Sequence, residues 1–215
     1  MKKYSNRREA GAVLAQALYR YQQQDDVIIL ALPRGGVPVA YEVALSLHAP
    51  LDVFIVRKLG VPGYHELAMG AMAEDGQIIF NKEIIHEYSV KQDEIDAVAA
   101  QEYEELQRRA KKYRMSRAFP ELKNMTVIIV DDGIATGASM AAAVQAIRSH
   151  HPAKIVVAVP VADRSLSGMF HTLAEEFVCP HLVDQLRAVG EWYDDFEQTE
   201  DDEVLLLLSQ AQDRH

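Results

Sequence analysis

The stretch VIIVDDGIATGASM at residues 127–140 constrains the fold more than any other part of the chain. Four apolar residues run into two carboxylates, and a turn of small residues then opens into an alanine-rich helix. Val127, Ile128, Ile129 and Val130 are too few and too β-branched for a helix, so they read as a strand buried on both faces of a parallel sheet. Asp131 and Asp132 then stand at its carboxyl end, the edge along which open α/β sheets build their ligand crevices. The glycines at 133 and 137 permit close backbone approach, and Thr136 is the expected N-cap of a helix over 138–149. Free amides at such a helix start attract anions.

Carboxylates accept hydrogen bonds from a diol, while clustered amides hold a phosphate. Together they suit a ligand with both groups, a description that fits ribose 5-phosphate. Two other phosphate-binding patterns are excluded. No Lys follows the Ala-Thr-Gly turn, as a P-loop requires, and no strand-like run leads into GxGxxG.

The rest of the chain reads as alternating strands and helices. Residues 5–24 have helical spacing, with Ala10, Val13, Leu14, Ala17, Leu18 and Tyr21 on one side, and are expected to pack on the sheet. A first strand at 27–32 leads through Pro33, Arg34, Gly35 and Gly36 into a helix at 37–47. A second strand is expected at 53–56, with Arg57 and Lys58 at its end. Residues 59–75 are rich in Gly and Pro and read as a long excursion that returns as a hairpin through 77–80; long irregular segments are commonly functional. His65 and Glu66 fall in it, where a lone histidine is usually just exposed. Residues 92–114 form one long helix, with Ile95, Val98, Ala99, Leu106, Ala110 and Tyr113 as its apolar stripe, and its acidic start and basic end suit the helix dipole. Strands at 155–159 and 177–179 flank a helix near 165–174. The βαβα alternation predicts an α/β fold with a doubly wound, mainly parallel sheet.

Size and charge narrow the classes further. The 215 residues, 49% of them hydrophobic, suffice for one domain over 1–215, with a core at about 25–180 and a cap at about 181–215. No run is apolar and long enough to span a bilayer, and the first residues lack the apolar core of a secretion signal, so the expected location is the cytoplasm. The single cysteine, Cys179, forbids an internal disulfide framework and reads as a buried small hydrophobe. A net charge of −10 argues against nucleic acid as the main ligand. Much of the acidic excess lies between Asp184 and Glu203 and reads as a solvated face. Arg108, Arg109, Lys111, Lys112, Arg114 and Arg117 form the one basic cluster and read as a solvated helix end; His150 and His151, beside Pro152, read as structural.

The order of four apolar residues, an acidic pair and a small turn closing on Thr-Gly resembles the phosphoribosyl-pyrophosphate (PRPP) signature of type I phosphoribosyltransferases. The resemblance implies an enzyme that uses PRPP and Mg²⁺ to transfer a phosphoribosyl group to a nitrogenous acceptor, a nucleobase or amine, with release of pyrophosphate and with dimerisation as a family expectation. It assigns the ribose hydroxyls to Asp131 and Asp132, directly or through a metal-bound water. The 5-phosphate falls to Gly133, Ile134, Ala135, Thr136 and Gly137, and pyrophosphate to Arg34, Gly35 and Gly36. Arg57 and Lys58 with the following segment resemble the family's mobile catalytic loop. VGEWYDDF at 189–196 resembles its hood over the acceptor, where Trp192, Tyr193 or Phe196 would stack on a flat heterocycle. One departure bears on the acceptor: Ala135 stands where hypoxanthine-guanine enzymes carry an Asp before Thr-Gly, which disfavours that chemistry. The long helix at 92–114 resembles a bacterial and archaeal group of predicted phosphoribosyltransferases whose acceptor is unassigned. A PRPP sensor without turnover and a PRPP-independent phosphosugar- or nucleotide-binding protein are the competing classes; retention of Arg57 and Lys58, the acidic charge and the lack of a helix-turn-helix domain favour the enzyme.

Overall fold

Two runs of apolar residues, Val27–Ala31 and Thr126–Val130, lie side by side at the centre of the molecule, and every residue in both is buried. Burying each large aliphatic side chain there contributes roughly 1.5–3 kcal/mol, and a strand covered on both faces collects that gain at every position. The computed structural model describes residues 3–114 and 117–212, with the backbone alone at 65 and 66.

The chain begins with helix α1 (Arg7–Ala17), whose N-cap Asn6 accepts from the Glu9 amide, and a 3₁₀ turn. Strand β1 (Val27–Ala31), helix α2 (Gly36–Leu47) and strand β2 (Leu51–Val53) follow. An excursion then forms β3 (Val56–Val61), β4 (Tyr64–Ala73), β5 (Ile78–Phe80), α3 (Lys82–Glu87) and the long α4 (Gln92–Arg114). The chain re-enters the sheet as β6 (Thr126–Val130), followed by α5 (Ala138–Arg148), β7 (Lys154–Ala158), β8 (Val161–Asp163), α6 (Ser167–Leu173), β9 (Glu176–Val178), β10 (His181–Val183) and α7 (Asp201–Gln212). The central sheet is parallel throughout, in the order β2-β1-β6-β7-β9. Apolar clusters on both of its faces make the doubly wound α/β fold expected from the alternation.

Several elements differ from their expected form, each for a local reason. Helix α1 packs chiefly on α2 rather than on the sheet: a Cβ on Gly11 would lie 2.6 Å from the Val39 carbonyl, so the glycine admits close helix contact. The second strand ends at Val53, and the apolar residues 54–56 instead carry the chain out of the sheet into β3. Residues 59–75 are not irregular. They form an antiparallel hairpin, β3 with β4, to which β5 adds a third strand; Gly63, with φ +80°, supplies the tight turn at its tip. Gly and Pro at the tip disguised two strands as loop.

Helix α4 spans the expected residues, yet its basic end is not all solvated. Arg108 and Arg109 pair with Glu105, and Lys112 with Asp201, but Arg114 is only 5% exposed. Its guanidinium contacts Asp52 (3.2 Å), Glu74 (2.7 Å) and the Val53 carbonyl, and lies 4.8 Å from the centre of the Phe119 ring. This cluster ties the root of the hairpin and the end of α4 to the sheet edge at β2. His150 lies beside it, against Phe119 and 3.3 Å from Asp75.

Burial pushes Glu74 up to about 7 from an ordinary 4.5, despite the opposing pull of Arg114. A carboxyl group that holds its proton more tightly folded than unfolded stabilises the fold fully below pH 4.5, and that contribution is lost as pH rises through about 7. The amount at stake is on the order of 3 kcal/mol. Urea denaturation across this range should therefore show wild type losing stability relative to Glu74→Gln as pH rises; parallel profiles would contradict the assignment.

Candidate functional site

Strand β6 delivers Asp131 and Asp132 to the carboxyl edge of the sheet, beside the end of β1. The Leu32 amide donates to the Val130 carbonyl (2.9 Å), so the turn at 33–36 leaves β1 in contact with the acidic pair. Both glycines are required by that contact. A Cβ on Gly35 would lie 2.2 Å from Asp132 Oδ2, and one on Gly36 would lie 2.8 Å from the Val130 carbonyl oxygen and 2.9 Å from Asp131 Cα. The Pro33–Arg34 peptide is cis.

The turn after the acidic pair encloses a small cavity of about 130 Å³, lined from Asp131 and Gly133 round to Met140. Its construction departs from expectation in two ways. Thr136 is exposed and caps nothing: Gly137, in the left-handed region at φ +80°, is the N-cap of α5 and makes no side-chain bond. The Ile134 amide is also committed, donating to the Val161 carbonyl (2.9 Å), while the Asp163 amide donates back to the Ile134 carbonyl (3.1 Å). The turn is thus bolted to β8, and among the described residues the amides of Gly133, Ala135, Thr136 and Gly137 make no hydrogen bond within the protein. Gly133 admits the hood, since a Cβ there would lie 2.6 Å from the Val189 side chain.

Burial raises the pKa of both aspartates. For Asp131, burial and the Asp132 charge raise it well above the ordinary 3.8; for Asp132, burial raises it while Arg7 pulls it down. Asp131 Oδ1 accepts from the Asp132 amide (2.8 Å), and Asp132 Oδ2 accepts from Arg7 Nε (2.9 Å). Two adjacent carboxylates with a single cation favour a ligand that brings hydroxyl donors or a divalent ion.

The other expected site residues divide. Lys58 lines a cleft of about 560 Å³ with Thr136 and Ser139, under the β-hairpin and against α5, so it shares a rim with the cavity after the acidic pair. Arg57 does not. It is next in sequence and therefore on the opposite face of β3, where it donates to Glu102 (2.6 Å) of α4. Its expected role at the site is corrected by that alternation. Arg34 pairs with the exposed Glu200 (3.3 Å) and lies 3.8 Å from Asp201, so part of the acidic run expected to be only a solvated face is also tied to the turn that carries Arg34. The hood aromatics mostly face inward. Tyr193 is buried and donates its hydroxyl to the Asp132 carbonyl (2.5 Å); Tyr193 and Phe196 stand 5.0 Å apart, and Trp192 is half-buried beside His181. Stacking of a ligand on Tyr193 is thereby corrected: its ring belongs to the hood's own core with Tyr4, Val161 and Leu186. The side chains of His65 and Glu66 lie outside the described residues; their backbone is in β4.

Sequence reasoning missed Arg7. A cation in the first turn of a helix opposes the helix dipole, and that adverse placement was the available signal that a partner holds it elsewhere.

A parallel sheet whose carboxyl edge sets an acidic pair against two glycine-bearing turns is the ligand-crevice arrangement of open α/β proteins. Residues 3–177 match the model described as "Phosphoribosyl transferase domain", and the chain belongs to that family. It is 46% identical over 211 residues to a Mycobacterium tuberculosis protein, Rv0571c, provisionally named a phosphoribosyl transferase; the match covers 98% of this chain and 47% of the relative. The chain thus spans about half the length of the curated relatives it matches. The crystal structure of TT1426 from Thermus thermophilus superposes with a TM-score of 0.83 at 38% identity, covering 98% of this chain and 99% of that one. The AQ2163 protein from Aquifex aeolicus shares the fold at 12% identity, with a TM-score of 0.51 over 86% of this chain and 78% of that one.

The glycine contacts predict a sharp positional effect. Gly35→Ala should cost about 1–3 kcal/mol through overpacking. Gly168→Ala, inside α6 with nothing within 4 Å of the added Cβ, should be neutral or stabilise by up to about 1 kcal/mol. Urea denaturation of the two variants would measure the contrast, and equal effects would contradict it.

Proposed function

We propose that the chain transfers a phosphoribosyl group from PRPP to a nitrogenous acceptor, releasing pyrophosphate with inversion at the anomeric carbon. The observation that supports this reading is the close approach of the Gly35 turn to Asp132; on it, the turn would hold the diphosphate beside a pair that would hold the ribose diol. Ribose hydroxyls donate to Asp131 and Asp132, and the 5-phosphate lies in the turn closed by Gly137. Pyrophosphate departs over Gly35 and Gly36, with Arg34 released from Glu200 and Asp201 to meet it. The bond to the leaving group breaks early, so the sugar acquires oxocarbenium character and the protein contributes position and charge rather than a nucleophile. Lys58 and Lys82 both line the cleft beside the cradle; Lys58, on the hairpin, would bring positive charge from that side, and closure of the hairpin would exclude water from the activated carbon.

Mg²⁺ suits this donor set. Two carboxylates are too few to hold the ion alone, and Mg²⁺ commonly takes its remaining ligands from substrate phosphates and water. Asp131 or Asp132 would hold it through water, and when bound it neutralises diphosphate charge. The acceptor is a heterocyclic base or amine. Ala135, packed against the hood, offers no acid or base, which argues against 6-oxopurine chemistry of the familiar kind.

A PRPP sensor without turnover is the second reading. Two features favour it: Tyr193 is consumed in the hood core, and Arg34 is already paired.

A screen of nucleobases and small amines for pyrophosphate release with PRPP and Mg²⁺ separates the two, since tight PRPP binding without release on any acceptor selects the sensor. Replacing both Asp131 and Asp132 by Asn should weaken PRPP binding by roughly a hundredfold or more, given about 1.5–3 kcal/mol for each charged hydrogen bond, with circular dichroism unchanged. Undiminished affinity, measured by calorimetry, would overturn the site.

A further inference from the structure

Arg7 joins helix α1 to three other parts of the molecule that are far apart in sequence. Its Nε donates to Asp132 Oδ2 (2.9 Å), and its Nη1 to the Glu197 carbonyl (2.7 Å). Its guanidinium carbon lies 3.9 Å from the centre of the Phe196 ring. A Cβ on Gly35 would come within 3.4 Å of Arg7 Nε, so the group also roofs the diphosphate turn. The Arg7 and Asp132 side chains are only 12% and 14% exposed, so this pair is largely shielded from water, unlike most surface ion pairs.

The geometry points to Arg7 as a positioning residue of the sugar subsite, holding the Asp132 carboxylate in the orientation that accepts ribose hydroxyls and fixing the hood to it through Phe196 and Glu197. This rests on the reading that the hydroxyls bind at the acidic pair. A carboxylate offers about four lone-pair directions, and Arg7 takes one on Oδ2, leaving Oδ1 directed by that anchor. Tyr193 fixes the same residue from the backbone side, through the Asp132 carbonyl. With both ends held, Asp132 meets the sugar without first being ordered by it, and preorganisation of this kind strengthens binding by reducing its entropic cost. A lysine at this position could reach Asp132 but could not also form the fork to Glu197 while lying over the Phe196 ring.

A strut that merely supports the hood would weaken every ligand alike. A positioning residue instead changes the discrimination between sugars with and without hydroxyls. Calorimetry on the full chain would therefore compare ribose 5-phosphate with 2,3-dideoxyribose 5-phosphate in wild type, Arg7→Met and Arg7→Lys, with thermal melting to verify folding. Wild type should prefer ribose 5-phosphate by roughly tenfold or more, the scale of one charge-assisted hydrogen bond. Arg7→Met should reduce the preference to within about threefold, with partial recovery in Arg7→Lys. An unchanged preference in a folded Arg7→Met protein overturns the proposal. If that variant does not fold, an undiminished wild-type preference in Arg7→Lys overturns it. Absence of any preference in wild type refutes the reading of the acidic pair itself, and the proposal with it.

Discussion

The contact between the ends of β1 and β6 is the constraint on which the site depends. These strands are parallel neighbours, so their carboxyl ends emerge together, and whatever follows each must share the same few ångströms. One is followed by two carboxylates and the other by two glycines. Any side chain at Gly35 would meet the Asp132 carboxylate, and any at Gly36 the backbone that leads to it. The acidic pair can be half-buried at a sheet edge because its neighbour there is bare backbone, and because Arg7 and Tyr193 also bond to Asp132.

Charge around this contact is balanced by residues brought from the two ends of the chain. Helix α1 supplies Arg7 to the acidic pair, and the start of α7 supplies Glu200 and Asp201 to Arg34. Asp201 is shared further, accepting from Lys112 (2.6 Å) and Tyr113 (2.6 Å) of the long helix. The hood is therefore an electrostatic closure as well as an aromatic one. The N-terminal segment is built into it: the Tyr4 amide donates to the Trp192 carbonyl (2.9 Å), and the Asp194 amide donates to the Tyr4 carbonyl (2.8 Å). Any charged ligand entering such a site would exchange internal ion pairs for its own charges, which limits the net gain from each.

Legibility from sequence followed how local each determinant was. The strand ending at Val130 and the helix over Gln92–Arg114 were readable because burial on two faces and a long apolar stripe leave periodic marks. The hairpin was not, because Gly60, Pro62 and Gly63 imitate a loop while the pairing that makes two strands of it is antiparallel and lies in space. Arg57 and Lys58 looked equivalent as adjacent cations; the pleat sends them to opposite faces, one to Glu102 and the other toward Thr136. Thr136 has the chemistry of a cap, but the left-handed Gly137 moved the helix start past it.

The sequence by itself determined the alternating α/β architecture, the acidic pair at a strand end and the small-residue turn after it, because these depend on residue type and spacing over a few positions. Only the tertiary structure decided which charges meet. Arg7 lies 125 positions from Asp132, Arg34 lies 166 from Glu200, and Arg114 lies 62 from Asp52. An ion pair depends on distance in space and leaves no periodic trace along the chain, so the partners that orient the site became visible only once the sheet had brought them together.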